Sequence, residues 1–152
     1  MERPGHTPEQ QGPPEPLPVN FAAIPERLRE YHQWVVWKYA SVDEEIKKPP
    51  YSPTTGRLAS VRNPATWGSF QQAQAAYETG QFSGVGIVLT ADMGIVGVDI
   101  DHCVESGQVN ENAGRIIAAL HSYTEASPSG TGIRIMLEGK LPGIMRRRGA
   151  IE

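Results

Sequence analysis

Three short apolar segments alternate strictly enough to fix much of what this chain can become. In GVGIVLT (Gly84 to Thr90), GIVGVDID (Gly94 to Asp101) and GIRIMLE (Gly132 to Glu138), every second residue is aliphatic. Side chains of a strand point alternately to opposite faces. One face of each segment is therefore apolar: Val85, Ile87 and Leu89; Val96, Val98 and Ile100; Ile133, Ile135 and Leu137. The other face carries Gly86, Val88 and Thr90, then Gly97, Asp99 and Asp101, then Gly132, Arg134 and Met136. This second face is low in bulk, with two aspartates and an arginine set on it. Only Ala91, Asp92 and Met93 separate the first two segments, a gap that predicts an antiparallel hairpin.

The remaining elements follow from spacing. Ile24 to Glu30 reads as a short helix with Pro25 near its start, and Trp34 to Ala40 (WVVWKYA) reads as a strand. Lys47 to Ser60 is rich in turn residues. Phe70, Ala73, Ala76 and Tyr77 recur at helical spacing within Thr66 to Gly80, and Ile116, Ile117 and Leu120 do so within Asn112 to Tyr123. A further strand is expected over Tyr123 to Ala126. Hairpins mixed with crossover helices predict an α+β fold with a mainly antiparallel sheet, helices packed on one face and the other face open.

Residues 1–18 hold six of the 13 prolines and almost nothing apolar, so they read as a disordered leader to a single domain over 19–152. The net charge of −3 leaves nucleic-acid binding to local patches. A lone Cys103 excludes a disulfide framework and a cysteine zinc site. No apolar stretch reaches the ~18 residues of a membrane span, and a cytoplasmic location is expected.

Asp99 and Asp101 would stand ~6 Å apart on the open face. Their mutual repulsion is on the order of 3 kcal/mol at an effective dielectric near 20. Two readings are open. The pair is a solvated strand end, or it is half of a site for Mg²⁺ or Mn²⁺, whose hard oxygen ligands are one or two carboxylates completed by water and phosphate. The loop SPSGTG (Ser127 to Gly132) bears on the choice. It lacks the Gly-Lys-Ser/Thr ending of a P-loop, but its glycine and hydroxyls (Ser127, Ser129, Gly130) suit a backbone nest for phosphate. Arg134 follows directly, a donor fork matched to phosphate oxygens.

Taken in order, GVGIVLT, GIVGVDIDHC and SYTEASPSGTGIRIMLEGKLPG resemble the primase–polymerase domain of the archaeo-eukaryotic primase superfamily, in the form carried by phage, plasmid and prophage replication proteins. QWVVWKY, KKPPYSPTTGRLAS and NPATWGSFQQAQAAY agree, and the resemblance runs from about Phe21 to Glu152. It implies an RRM-like palm with its active site on the open face. It also implies divalent-metal-dependent, template-directed nucleotidyl transfer from nucleoside triphosphates, with a DNA template and primer as partners and a replicative helicase in cis or in trans. By resemblance Asp99 and Asp101 are the catalytic metal ligands, and Arg134, where many members have histidine, holds the triphosphate. The third acid maps to Glu152, the last residue, so the resemblance implies a domain that continues beyond it. Template contacts would fall to Lys47, Lys48 and Arg57, and to Arg146, Arg147 and Arg148.

Other residues have plainer readings. Trp34, Trp37, Trp67, His102 and Cys103 read as packing or strand-end residues. Glu105, Glu125 and Glu138 are substitute acids should Glu152 not serve. Two alternatives stand beside the leading reading. One is a non-catalytic nucleotide or single-stranded-DNA-binding module on the same fold. The other is a phosphohydrolase with Asp99 as nucleophile, which His102-Cys103 after the acidic pair disfavours.

Overall fold

The structure, a computed structural model, describes residues 12–142 and 151–152. The first eleven residues of the expected leader lie outside that range. A 3₁₀ turn leads into helix α1 (Glu26–Arg29) and strand β1 (Trp34–Trp37). Strands β2 (Ala40–Val42), β3 (Glu45–Lys47) and β4 (Pro50–Tyr51) follow, then helix α2 (Phe70–Glu78) and β5 (Gly84–Ile87). The second half holds β6 (Ile95–Ile100), β7 (Val104–Glu105), β8 (Gln108–Val109), helix α3 (Glu111–Leu120), β9 (Tyr123–Ala126) and β10 (Ile133–Glu138).

The fold is α+β, and every strand pair is antiparallel. Two three-stranded sheets carry the architecture, one ordered β4-β1-β5 and the other β6-β10-β9. The aromatic and β-branched run Trp34–Trp37 is buried along its whole length because both of its faces are covered. Trp34 and Val36 pack with Ile24, Leu28, Phe70 and Ala73, while Val35 packs with Trp67 and Val88. Gly84 sits under the Trp37 indole, where a Cβ would lie 2.6 Å from the ring. The three tryptophans are thus packing residues.

Local signals set the helix ends. Ser69 and Gln72 form a reciprocal capping box on α2, and the Asn110 side chain accepts the Ala113 N–H at the start of α3. His121 closes α3 in a left-handed conformation, with φ 44°. On the second sheet the alternation read from the sequence holds. Val98, Ile100, Ile133, Ile135 and Leu137 pack with Ala113, Ile116, Ile117 and Leu120 of α3, and Cys103 is buried among them.

The expected hairpin between Gly84–Thr90 and Gly94–Asp101 does not form. β5 pairs with β1 (Trp34 opposite Ile87, Val36 opposite Val85), and β6 pairs with β10. A 3₁₀ turn over Ala91–Met93 and left-handed Gly94 (φ 62°) carry the chain from one sheet to the other. The Gln33 amide fixes the departure point by donating to the Val88 carbonyl (2.7 Å) and the Thr90 hydroxyl (3.1 Å).

Candidate active site

Strand register builds the site. Asp99 on β6 is opposite Arg134 on β10, and Arg134 is opposite Glu125 on β9. On the free edge of β6, Asp99 and Glu152 exchange both backbone hydrogen bonds, at 2.7 and 2.9 Å. Directly paired residues present their side chains to the same face. Glu152, Asp99, Arg134 and Glu125 therefore form one row across the sheet, three acids and one guanidinium. The row faces away from α3, into a cleft of about 930 Å³ between the two sheets. Met136 and Tyr123, one pleat further along, close the inner end of that face by packing against the first sheet's core.

Within the row the groups are already paired. Arg134 Nε donates to Asp99 Oδ1 at 2.6 Å and Nη2 to Oδ2 at 3.1 Å. This fork holds the Arg134 guanidinium above the usual arginine range; burial opposes the shift and the nearby Glu125 charge adds to it. The Tyr123 hydroxyl donates to Glu125 Oε2 at 2.8 Å. Burial foremost, then that carboxylate, pushes the Tyr123 phenol well up. Asp101 lies just past the end of β6, in an exposed turn that lines the cleft.

The phosphate-loop candidate is ordered by its own hydroxyls. The Ser127 hydroxyl accepts the Gly132 N–H (3.0 Å), and Ser129 lies within hydrogen-bond distance of Ser127 (3.2 Å) and Thr131 (2.9 Å). Gly130 takes φ 74°, the left-handed turn that this loop requires. The Leu17 N–H donates to the Pro128 carbonyl at 2.8 Å, so the segment before α1 lies along the loop. Gly132 is required for a different reason. A Cβ there would stand 2.8 Å from the Ile100 carbonyl and 3.5 Å from Asp101 Cα. Gly132→Ala is expected to push the end of β6 away and cut any Asp99/Asp101-dependent activity by about tenfold or more. The check is a parallel assay of activity and thermal melting, with activity falling more than stability explains.

The remaining candidates separate. The Lys48 ammonium sits 5.7 Å from the Trp37 ring and lines the cleft. Lys47 is exposed beside Glu45, and Arg57 lies in an exposed turn; neither lines the cleft. Arg146, Arg147 and Arg148 lie outside the described residues. Among the described residues no three Asp, Glu, His or Cys side chains draw together as a ready metal cluster. The donors at the mouth of the cleft are nevertheless hard carboxylate oxygens, and Asp99 is half exposed. Such a set fits a Mg²⁺ or Mn²⁺ whose other ligands are water and phosphate, rather than a metal caged by protein alone. Sequence reasoning overlooked Tyr123 and gave Glu125 only a substitute's part.

No protein-family model matches the chain. A curated protein of Nitratiruptor phage NrS-1, named DNA primase-polymerase, is 38% identical to it over 123 residues. The match covers 80% of this chain and 17% of the phage protein.

Proposed function

Because the chain belongs with the phage-type primase–polymerase domains, we propose that it catalyses template-directed nucleotidyl transfer in the replication of a phage, plasmid or prophage element. The observation that supports this reading most is the row Glu152–Asp99–Arg134–Glu125, set in a cleft beside a serine-rich loop. The reaction joins a primer 3′-hydroxyl to the α-phosphate of a nucleoside triphosphate and releases pyrophosphate. Arg134, on the strand after the loop, would grip phosphate oxygens with its fork. The Ser127, Ser129 and Thr131 hydroxyls would extend that grip along the triphosphate. Asp99 and Asp101, with Glu152 beside them, would hold Mg²⁺ or Mn²⁺, which supplies activation of the attacking oxygen and neutralisation of the leaving group. Lys48, which lines the opposite wall, would offer the template strand a cation.

The test is labelled-nucleotide incorporation on a primed single-stranded DNA template, with Mg²⁺ or Mn²⁺ and with EDTA. Metal-dependent extension is expected. A second reading, a binding module without turnover, draws on the Arg134 fork that engages both Asp99 oxygens. Template or nucleotide binding with no extension in either metal would favour it.

A further inference from the structure

Arg134 stands between two carboxylates in its register row, Asp99 on one side and Glu125 on the other. Cross-strand neighbours have Cβ atoms ~5 Å apart, so a long guanidinium arm reaches either partner without backbone movement. It now lies on Asp99, with both guanidinium contacts on the two carboxylate oxygens (2.6 and 3.1 Å). Glu125 meanwhile accepts the Tyr123 hydroxyl. The Asp99 oxygens that would ligate a cation are those the fork engages. A metal ion and Arg134 therefore compete for one carboxylate. Phosphate competes for the other end of the same pair, because a guanidinium fork fits a phosphate as well as a carboxylate. Asp99 and Arg134 are half exposed, so a ligand reaches both without unfolding anything.

We infer that Arg134 is an internal counter-cation of Asp99, and that phosphate binding at Arg134 and divalent-cation binding at Asp99 are coupled, each favouring the other. The inference rests on the proposed nucleotide site and adds an order to it. Metal alone meets a carboxylate that is already neutralised, and phosphate alone meets an arginine that is already paired. A phosphate chain that draws the fork away frees the Asp99 oxygens in the same event. Such reciprocity is a thermodynamic necessity once two ligands share a competing contact.

Mn²⁺ binding, followed by electron paramagnetic resonance without nucleotide or DNA, tests this. Arg134→Gln is expected to bind Mn²⁺ about tenfold more tightly than the parent chain. Arg134→Lys keeps the charge and loses the fork, and is expected to fall between the two. Sulfate, a tetrahedral anion that ligates Mn²⁺ weakly, should tighten Mn²⁺ binding by the parent at constant ionic strength and leave Arg134→Gln unaffected. Unchanged or weaker Mn²⁺ binding by a folded Arg134→Gln protein overturns the coupling, as does sulfate that leaves Mn²⁺ binding by the parent unchanged. Asp99→Asn separates this failure from failure of the site. Lost Mn²⁺ binding there with no gain in Arg134→Gln leaves the site standing and removes the coupling. Undiminished Mn²⁺ binding by Asp99→Asn removes both.

Discussion

Alanine at Asp99 is expected to abolish nucleotide incorporation, by on the order of 10³-fold or more, in a protein that stays folded. The magnitude follows from losing the proposed metal ligand, since metal stabilisation of a reacting oxygen is worth several kcal/mol and each 1.36 kcal/mol is about tenfold in rate. The folded state loses little. Asp99 and Arg134 are half exposed, and a solvent-screened pair of this kind contributes about 1 kcal/mol or less. Its removal leaves an arginine that water can solvate. Asp101→Ala is expected to behave alike, because its side chain lies in an exposed turn. Incorporation on a primed template, read beside circular dichroism of the same preparations, is the measurement. Activity within tenfold of the parent in either folded variant would sink the assignment of the acidic pair.

Ile135→Ala is expected to have the opposite profile, a large loss of stability. Ile135 is wholly buried (0% exposed) in the central strand of the second sheet, against α3. Truncation of a buried isoleucine costs ~2–5 kcal/mol, from lost transfer energy and the cavity left behind. The site lies at the upper end, because both strands flanking β10 and the helix above it are held by their own ladders and caps and cannot collapse inward. Urea unfolding should show a midpoint shift with unchanged slope. Val36→Ala, equally buried in the other apolar cluster, should add to it within about 0.5 kcal/mol, since the two clusters share no residue. A loss under about 1 kcal/mol for Ile135→Ala would contradict the packing described.

Much of the site was legible because it depends on strand alternation, a local property. Val98, Ile100, Ile133 and Ile135 point to α3, and Asp99 and Arg134 to the other face, as two-residue periodicity requires. Pairing was less legible, being a contest between distant partners. Proximity in sequence favoured joining β5 to β6. The strand Trp34–Trp37, buried on both faces, instead recruits β5, and the Gln33 amide turns the chain away before β6 begins. Glu125 lay between these cases. Ser127 and Gly132 close the β9–β10 loop with a backbone hydrogen bond of 2.8 Å, and counting outward from them places Glu125 opposite Arg134. The loop was read for phosphate and not for register, so the count was not made. Tyr123 escaped notice because an aromatic at a strand start signals packing, and its hydroxyl bond to Glu125 is a tertiary fact.

The two walls of the cleft differ in how they are held from how they are joined. Backbone ladders stiffen each sheet internally, yet among the described residues no backbone hydrogen bond links a strand of one sheet to a strand of the other. Met136 and Tyr123 meet Leu28 and Trp34 through apolar contact, which has no preferred direction. The cleft is therefore held differently in two directions. Along a strand its geometry is set by register, while across the gap it is set by side-chain packing. A purine and a pyrimidine paired to a template differ in reach but present the same phosphates. If the proposed nucleotidyl transfer takes place here, register fixes the spacing of the phosphate-binding row, while side-chain packing sets the room left for the base.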